Sequence, residues 1–152
     1  MVWIETGRAR KVASPEMSNE SSVLTYVVQE PYETALKLLR RELENEGLRV
    51  PAETDVSGTI RAKLGLDLWP CRVLHVCCPL FLLQAAVIDP AETAFLPVRV
   101  VISGRERQTV IRLARSTTCP DDSRDRRVAV LASMLLSQVQ KIMEKIGAPQ
   151  IA

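Results

Sequence analysis

The strongest constraint on this chain is a pair of one-sided apolar stripes at helical spacing, separated by runs with the composition of β-strands. In the first stripe Tyr32, Ala35, Leu36, Leu39 and Leu43 recur every three or four residues, with Glu33, Lys37, Arg40, Arg41 and Glu44 largely on the other side. In the second, Val128, Leu131, Leu135, Val139, Ile142 and Ile146 do the same near the C-terminal end. A helix with one apolar stripe must bury it against another element, and the intervening runs supply a sheet. Val23–Gln29 is rich in β-branched and aromatic residues, as strands are. Leu48–Thr54 and Arg72–Cys78 read the same way. Val98–Ser103 and Thr109–Leu113, with Gly104 between them, predict an antiparallel hairpin with a loop of about five residues.

Breakers complete the order. Pro31 suits a first helical residue and Gly47 a stop. Ser57–Leu64 reads as a short helix ended by Gly65, and Pro79 opens a short apolar helix that Asp89-Pro90 breaks. Asp121, Asp122 and Ser123 are N-cap candidates for the final helix, which Gly147 and Pro149 end. The expected fold class is α+β: a single two-layer domain with a mainly antiparallel sheet and helices packed on one face. Residues 1–20 are read as a flexible N-terminal tail, with Met17 a candidate natural start, 21–147 as the α+β domain and 148–152 as a C-terminal tail.

Composition removes several function classes. With 20 basic and 18 acidic side chains the net charge is +2, too small a field to imply a nucleic-acid or anionic-membrane partner. The longest apolar stretch, Val73 to Ile88, holds His75, Pro79 and Gln84 and falls short of the ~20 residues a membrane span needs. No signal-peptide core is recognisable, so the expected compartment is the cytoplasm and the cysteines are expected as reduced thiols. Dinucleotide and phosphate loops, a nucleophile elbow and paired metal-ligand histidines are all missing, and no cofactor is indicated.

Candidate chemistry concentrates in the middle. Cys71, the single histidine His75, and Cys77 alternate along one strand face, with Leu74, Val76 and Cys78 on the other. Three ligands on one strand converge poorly, and no metal site is expected. Cys77 and Cys78 precede Pro79 and a helix start, where exposed N–H groups lower a thiol pKa. The favoured reading is nonetheless that both are small buried hydrophobes, with thiolate chemistry the alternative. Glu53 and Asp55 alternate on one strand face and either line a polar pocket or, for Asp55, cap the next helix. Seven arginines stand between Arg105 and Arg127; a solvated, salt-bridged surface is the expectation there, an anion site the alternative. Val130, Met134, Leu136 and Met143 widen the last helix's apolar face, for burial or for a second subunit.

The motif order Glu-Asn-Glu-Gly-Leu, Glu53-Thr-Asp55-Val, Arg72-Val-Leu-His-Val-Cys77-Cys78-Pro79 and Phe95-Leu-Pro97-Val-Arg-Val-Val resembles the domain of unknown function family 302 (DUF302) over about residues 23–147. The resemblance implies a small α+β domain that packs as a homodimer and has no settled activity. Family members often carry Cys-Asn-Pro at Cys77-Cys78-Pro79, and many have Pro-Cys at Pro97-Val98, so the second cysteine of that pair is replaced here by Val98. The resulting expectation is a cytoplasmic, non-catalytic homodimer that binds a small ligand or partner protein near Glu53, Asp55, His75, Cys77 and Cys78. The alternative is a sulfur-transfer or redox protein with Cys77 as nucleophile.

Overall fold

The computed structural model describes residues 23–114 and 125–150. In chain order the elements are β1 (Val23–Val28), α1 (Tyr32–Asn45), β2 (Arg49–Asp55), α2 (Val56–Leu64), β3 (Cys71–Cys77), α3 (Pro79–Ile88), a 3-10 turn at Pro90–Phe95, β4 (Val98–Arg105), β5 (Gln108–Ala114), α4 (Arg126–Ile146) and β6 (Ala148–Pro149). The strands form one six-stranded sheet in the order β2-β3-β4-β5-β1-β6, antiparallel at every pairing. This is the α+β class expected from the sequence.

The core lies between one sheet face and the helices. Cross-strand partners point the same way in an antiparallel ladder, and the row Leu74–Val100–Leu113 is fully buried. Against it pack Ala35, Leu36, Leu39 and Leu43 of α1 and Val128, Leu135, Val139, Ile142 and Met143 of α4. These are the two predicted stripes, each burying a face that would cost about 1.5–3 kcal/mol per large side chain to leave in water. Gly47 (φ 79°) and Gly65 (φ 71°) end α1 and α2 in the left-handed region, where a Cβ is penalised. No described element covers the second sheet face.

Several details depart from expectation. The hairpin connection is the two-residue turn Glu106-Arg107 rather than a five-residue loop, because Gly104 lies inside β4, paired with Thr109. Packing favours a glycine there: a Cβ would sit 3.0 Å from both the Tyr32 Cβ and the Pro70 Cγ, tighter than ordinary contact. Ala148 and Pro149, read as tail, form β6 against Val27 and Tyr26, and the Gln150 N–H reaches the Thr25 carbonyl at 2.8 Å. The cap of α4 is Asp125, whose carboxylate accepts the Arg127 N–H at 2.8 Å. The candidates Asp121, Asp122 and Ser123, the tail 1–20 and Cys119 lie outside the described residues.

Both edges of the sheet are irregular. The outer strand β2 carries Pro51 and a break in register between Arg49 and Ala52, and β6 has two residues, one of them Pro149.

Candidate functional site

The chemistry-bearing residues gather at the end of the sheet where β2 gives way to α2. Asp55 is the last residue of β2 and the N-cap of α2; its carboxylate accepts the Gly58 N–H at 2.9 Å and the Ser57 hydroxyl at 3.3 Å. A Cβ on residue 58 would lie 2.4 Å from that carboxylate, so the cap needs glycine there. The Ser57 hydroxyl oxygen in turn accepts the Cys71 N–H at 3.2 Å, tying the helix start to β3.

Arg72 faces the same way as Asp55, its cross-strand partner. Its guanidinium donates to Glu53 at 3.3 Å and lies 3.7 Å from Asp55. From α1, Arg40 grips the same Glu53 carboxylate with two hydrogen bonds of 2.9 and 3.1 Å. Such a bidentate pair fixes geometry as well as charge. The Arg40 bonds hold the Glu53 carboxyl below its usual range, with Arg72 assisting. The Gly58 N–H, followed by Arg72, does the same for Asp55.

Beyond this network opens a cleft of about 270 Å³, lined by Tyr32, Asp55, Ser57, Arg61, Pro70 and Arg72 among others. Arg61 is held by Asp67 at 2.8 Å. Burial pushes the Tyr32 phenol up, and the neighbouring Arg72 guanidinium partly opposes this. Tyr32 is fixed in place from behind, because the buried Thr109 hydroxyl donates to the Glu30 carbonyl at 2.8 Å and anchors the turn into α1. The cleft therefore presents a phenol, a hydroxyl, carboxylates and guanidinium groups, with opposite charges already neutralised within its walls.

The predicted site residues do not meet in one place. Glu53 and Asp55 belong to the core-side face of the sheet, paired with Leu74 and Arg72. His75 and Cys77 lie on the opposite face, paired with Ala52 and Arg99 and with Arg49. Cys78 is the N-cap of α3, contributes no side-chain cap and packs against the core. Cys77 is 4% exposed. Burial, with a contribution from Cys78, pushes its thiol up against the weaker pull of Arg49. This is opposite to the lowering expected from a helix start: the N-cap of α3 is Cys78, and Cys77 lies buried on the other face of the sheet. Among the described residues no three of His, Cys, Asp and Glu are grouped to hold a metal ion, and no helix is long and apolar enough to cross a membrane.

Arg72, Arg40, Tyr32 and Ser57 were not candidates from the sequence, and one signal for Arg72 was present. In a strand whose Leu74 and Val76 face the core, Arg72 falls on the same side and needs a carboxylate partner at its edge.

A two-layer α+β domain with an open antiparallel sheet is thus the class of protein defined by this architecture. The family model described as "Domain of unknown function DUF302" matches residues 24–146, and the chain belongs to that family. Among solved structures the chain is similar to the crystal structure of an uncharacterised conserved DUF302 protein from Bacillus stearothermophilus. The two are 21% identical, the match covers 82% of this chain and 98% of that one, and the TM-score is 0.69. At that identity the likeness speaks for the fold. No curated protein matches the chain.

Proposed function

We propose that the chain is a cytoplasmic, non-catalytic binding module that works as a homodimer and takes a small polar ligand in the cleft between α1, α2 and β3. The observation that carries this reading is the charge-compensated wall. Of its lining residues, Asp55 is held by the Gly58 N–H, Arg61 by Asp67, and Arg72 by Glu53, a carboxylate outside the lining that Arg40 grips in turn. Groups so restrained are pre-organised to orient a ligand. Their charges are spent on one another, and none is left as a free base or an activated nucleophile.

The dimer is supported by α3, which has no charged residue and exposes Leu80, Leu83 and Val87 along one stripe. The adjoining α4 exposes Val130 and Met134. Together these side chains leave roughly 500 Å² of apolar surface open, at the upper end for a monomer. Two copies would bury about 1,000 Å², where specific interfaces begin. A surface without charges also suits an isologous contact, in which each residue meets the same patch on its partner.

Calorimetric titration of the folded protein with a panel of small polyols, amino acids and dicarboxylates tests the cleft. The expected result is a ligand whose binding is lost in Arg72→Gln and Tyr32→Ala and kept in Cys77→Ser; binding indifferent to Arg72 and Tyr32, or absent throughout, refutes the reading. For the dimer, sedimentation equilibrium should give twice the chain mass, reduced to the monomer by Leu83→Glu with Val87→Glu.

A further inference from the structure

The second sheet face carries a charge pattern that the cleft does not use. Arg49 pairs with Cys77, Arg99 with His75, Arg112 with Val101 and Thr25, and Arg105 with Gln108. All four arginines therefore point away from the helices. The strand carboxylates Glu53 and Asp55 point the other way, into the cleft network. Among the described residues the side chains of Arg99, Arg105 and Arg112 have no ion-pair partner, and the Arg49 guanidinium binds only the Leu48 carbonyl. Arg127, by contrast, is taken up by Asp125. The salt-bridged surface expected for this arginine-rich stretch is thus not what Arg105 and Arg112 make.

Arg99 and Arg112 are diagonal neighbours in the ladder, about 7–8 Å apart, and His75 stands directly opposite Arg99. Clustered like charges without counter-ions are a cost that a complementary partner removes. Between the arginines lies the cross-strand pair Val73–Val101, half-buried, with Val110 buried beside it. The face therefore carries a short apolar row, Val73–Val101, with Arg112 at its inner end and Arg99 and Arg105 along the strand to either side.

We propose that this face docks an acidic amphipathic helix of a partner protein, its apolar stripe on Val73 and Val101 and its flanking Asp and Glu side chains on Arg99, Arg105 and Arg112. A helix on this side completes a sheet covered on both faces, as its own helices cover the first. A second copy fits poorly: two such faces repel, and the exposed helix α3 offers no carboxylate. Single-stranded nucleic acid is disfavoured because the strands place no aromatic side chain on this face for base stacking. This inference stands apart from the cleft and does not depend on it.

The test uses the whole chain and a fluorescein-labelled peptide about eighteen residues long, with leucines at i, i+3, i+4 and i+7 and glutamates on the flanks. Binding is read by anisotropy at physiological salt. A shuffled peptide of the same composition, a DNA duplex and phosphatidylserine vesicles serve as competitors. The expected result is saturable binding of the helical peptide, weakened roughly tenfold or more by Arg99→Glu with Arg112→Glu and less by Arg112→Gln. Circular dichroism melting confirms that the variants remain folded. Equal binding of the shuffled peptide would show a general polyanion surface and overturn the proposal. Tighter binding of duplex or vesicles with the same arginine dependence would overturn it too, as would no binding of the helical peptide.

Discussion

Gly104→Ala is the most informative single perturbation of this fold, because at an ordinary site the same change is stabilising by about 0.4–1 kcal/mol through the unfolded chain. Here the added methyl would lie 3.0 Å from two atoms, the Tyr32 Cβ and the Pro70 Cγ. Neither can retreat freely. Pro70 is bound to this residue through its carbonyl, which accepts the Gly104 N–H at 2.9 Å. Tyr32 follows the turn that Thr109 anchors through Glu30. Overpacking a site whose neighbours are fixed costs about 1–3 kcal/mol. For a chain of this length that lowers the melting temperature by about 2–4 °C per kcal/mol. Urea unfolding followed by circular dichroism measures it, with Ser103→Ala, the adjacent residue on the other sheet face, as the near-neutral control. Because Tyr32 and Pro70 also line the cleft, ligand affinity should fall alongside stability. A Gly104→Ala variant as stable as the parent, or more so, would refute the close-packing argument.

Further outcomes follow from the same geometry. Glu53 and Asp55 are held below their ordinary range by Arg40 and the Gly58 N–H, each with help from Arg72. Their contribution to stability is therefore present at neutral pH and lost as the pH falls through the carboxylate range, below about 4. Hydrogen exchange of β2 and α2 across that range should report it, and Glu53→Gln should flatten the response. Since burial raises the Cys77 thiol, alkylation mapped by mass spectrometry at pH 8 should mark Cys78 first and reach Cys77 only as the protein unfolds; fast labelling of folded Cys77 would restore the thiol chemistry read from the sequence. Thr109→Val keeps the shape but removes the bond to the Glu30 carbonyl, and should cost about 1–3 kcal/mol in urea unfolding.

Much of the fold was legible because its signals are local and periodic. The stripes of α1 and α4 and the strand character of β1 and β3 are written in residues three, four or two apart, and the structure buries those same side chains. The hairpin length was not legible. On composition Gly104 reads as a turn residue, whereas its lack of a Cβ serves contacts with Tyr32 and Pro70, distant in sequence. The candidate site was half legible for a related reason. Asp55 as a helix cap follows from its neighbours in the chain. That Asp55 and Cys77 end on opposite sides of the sheet depends on the register of β2 against β3, and the irregularity between Arg49 and Ala52 hides that register from simple alternation. The partnership of Arg40 with Glu53 spans two elements and has no local signature.

The irregular edges bear on strand addition from another chain. A strand from another chain adding to β2 would meet the missing donor of Pro51 and a broken register, and at β6 it would find two residues ending in a second proline. Among the described residues, then, neither edge presents a continuous ladder on which crowded copies could extend a fibre. Any contact between copies through the described residues would then rest on side chains rather than on a shared backbone ladder.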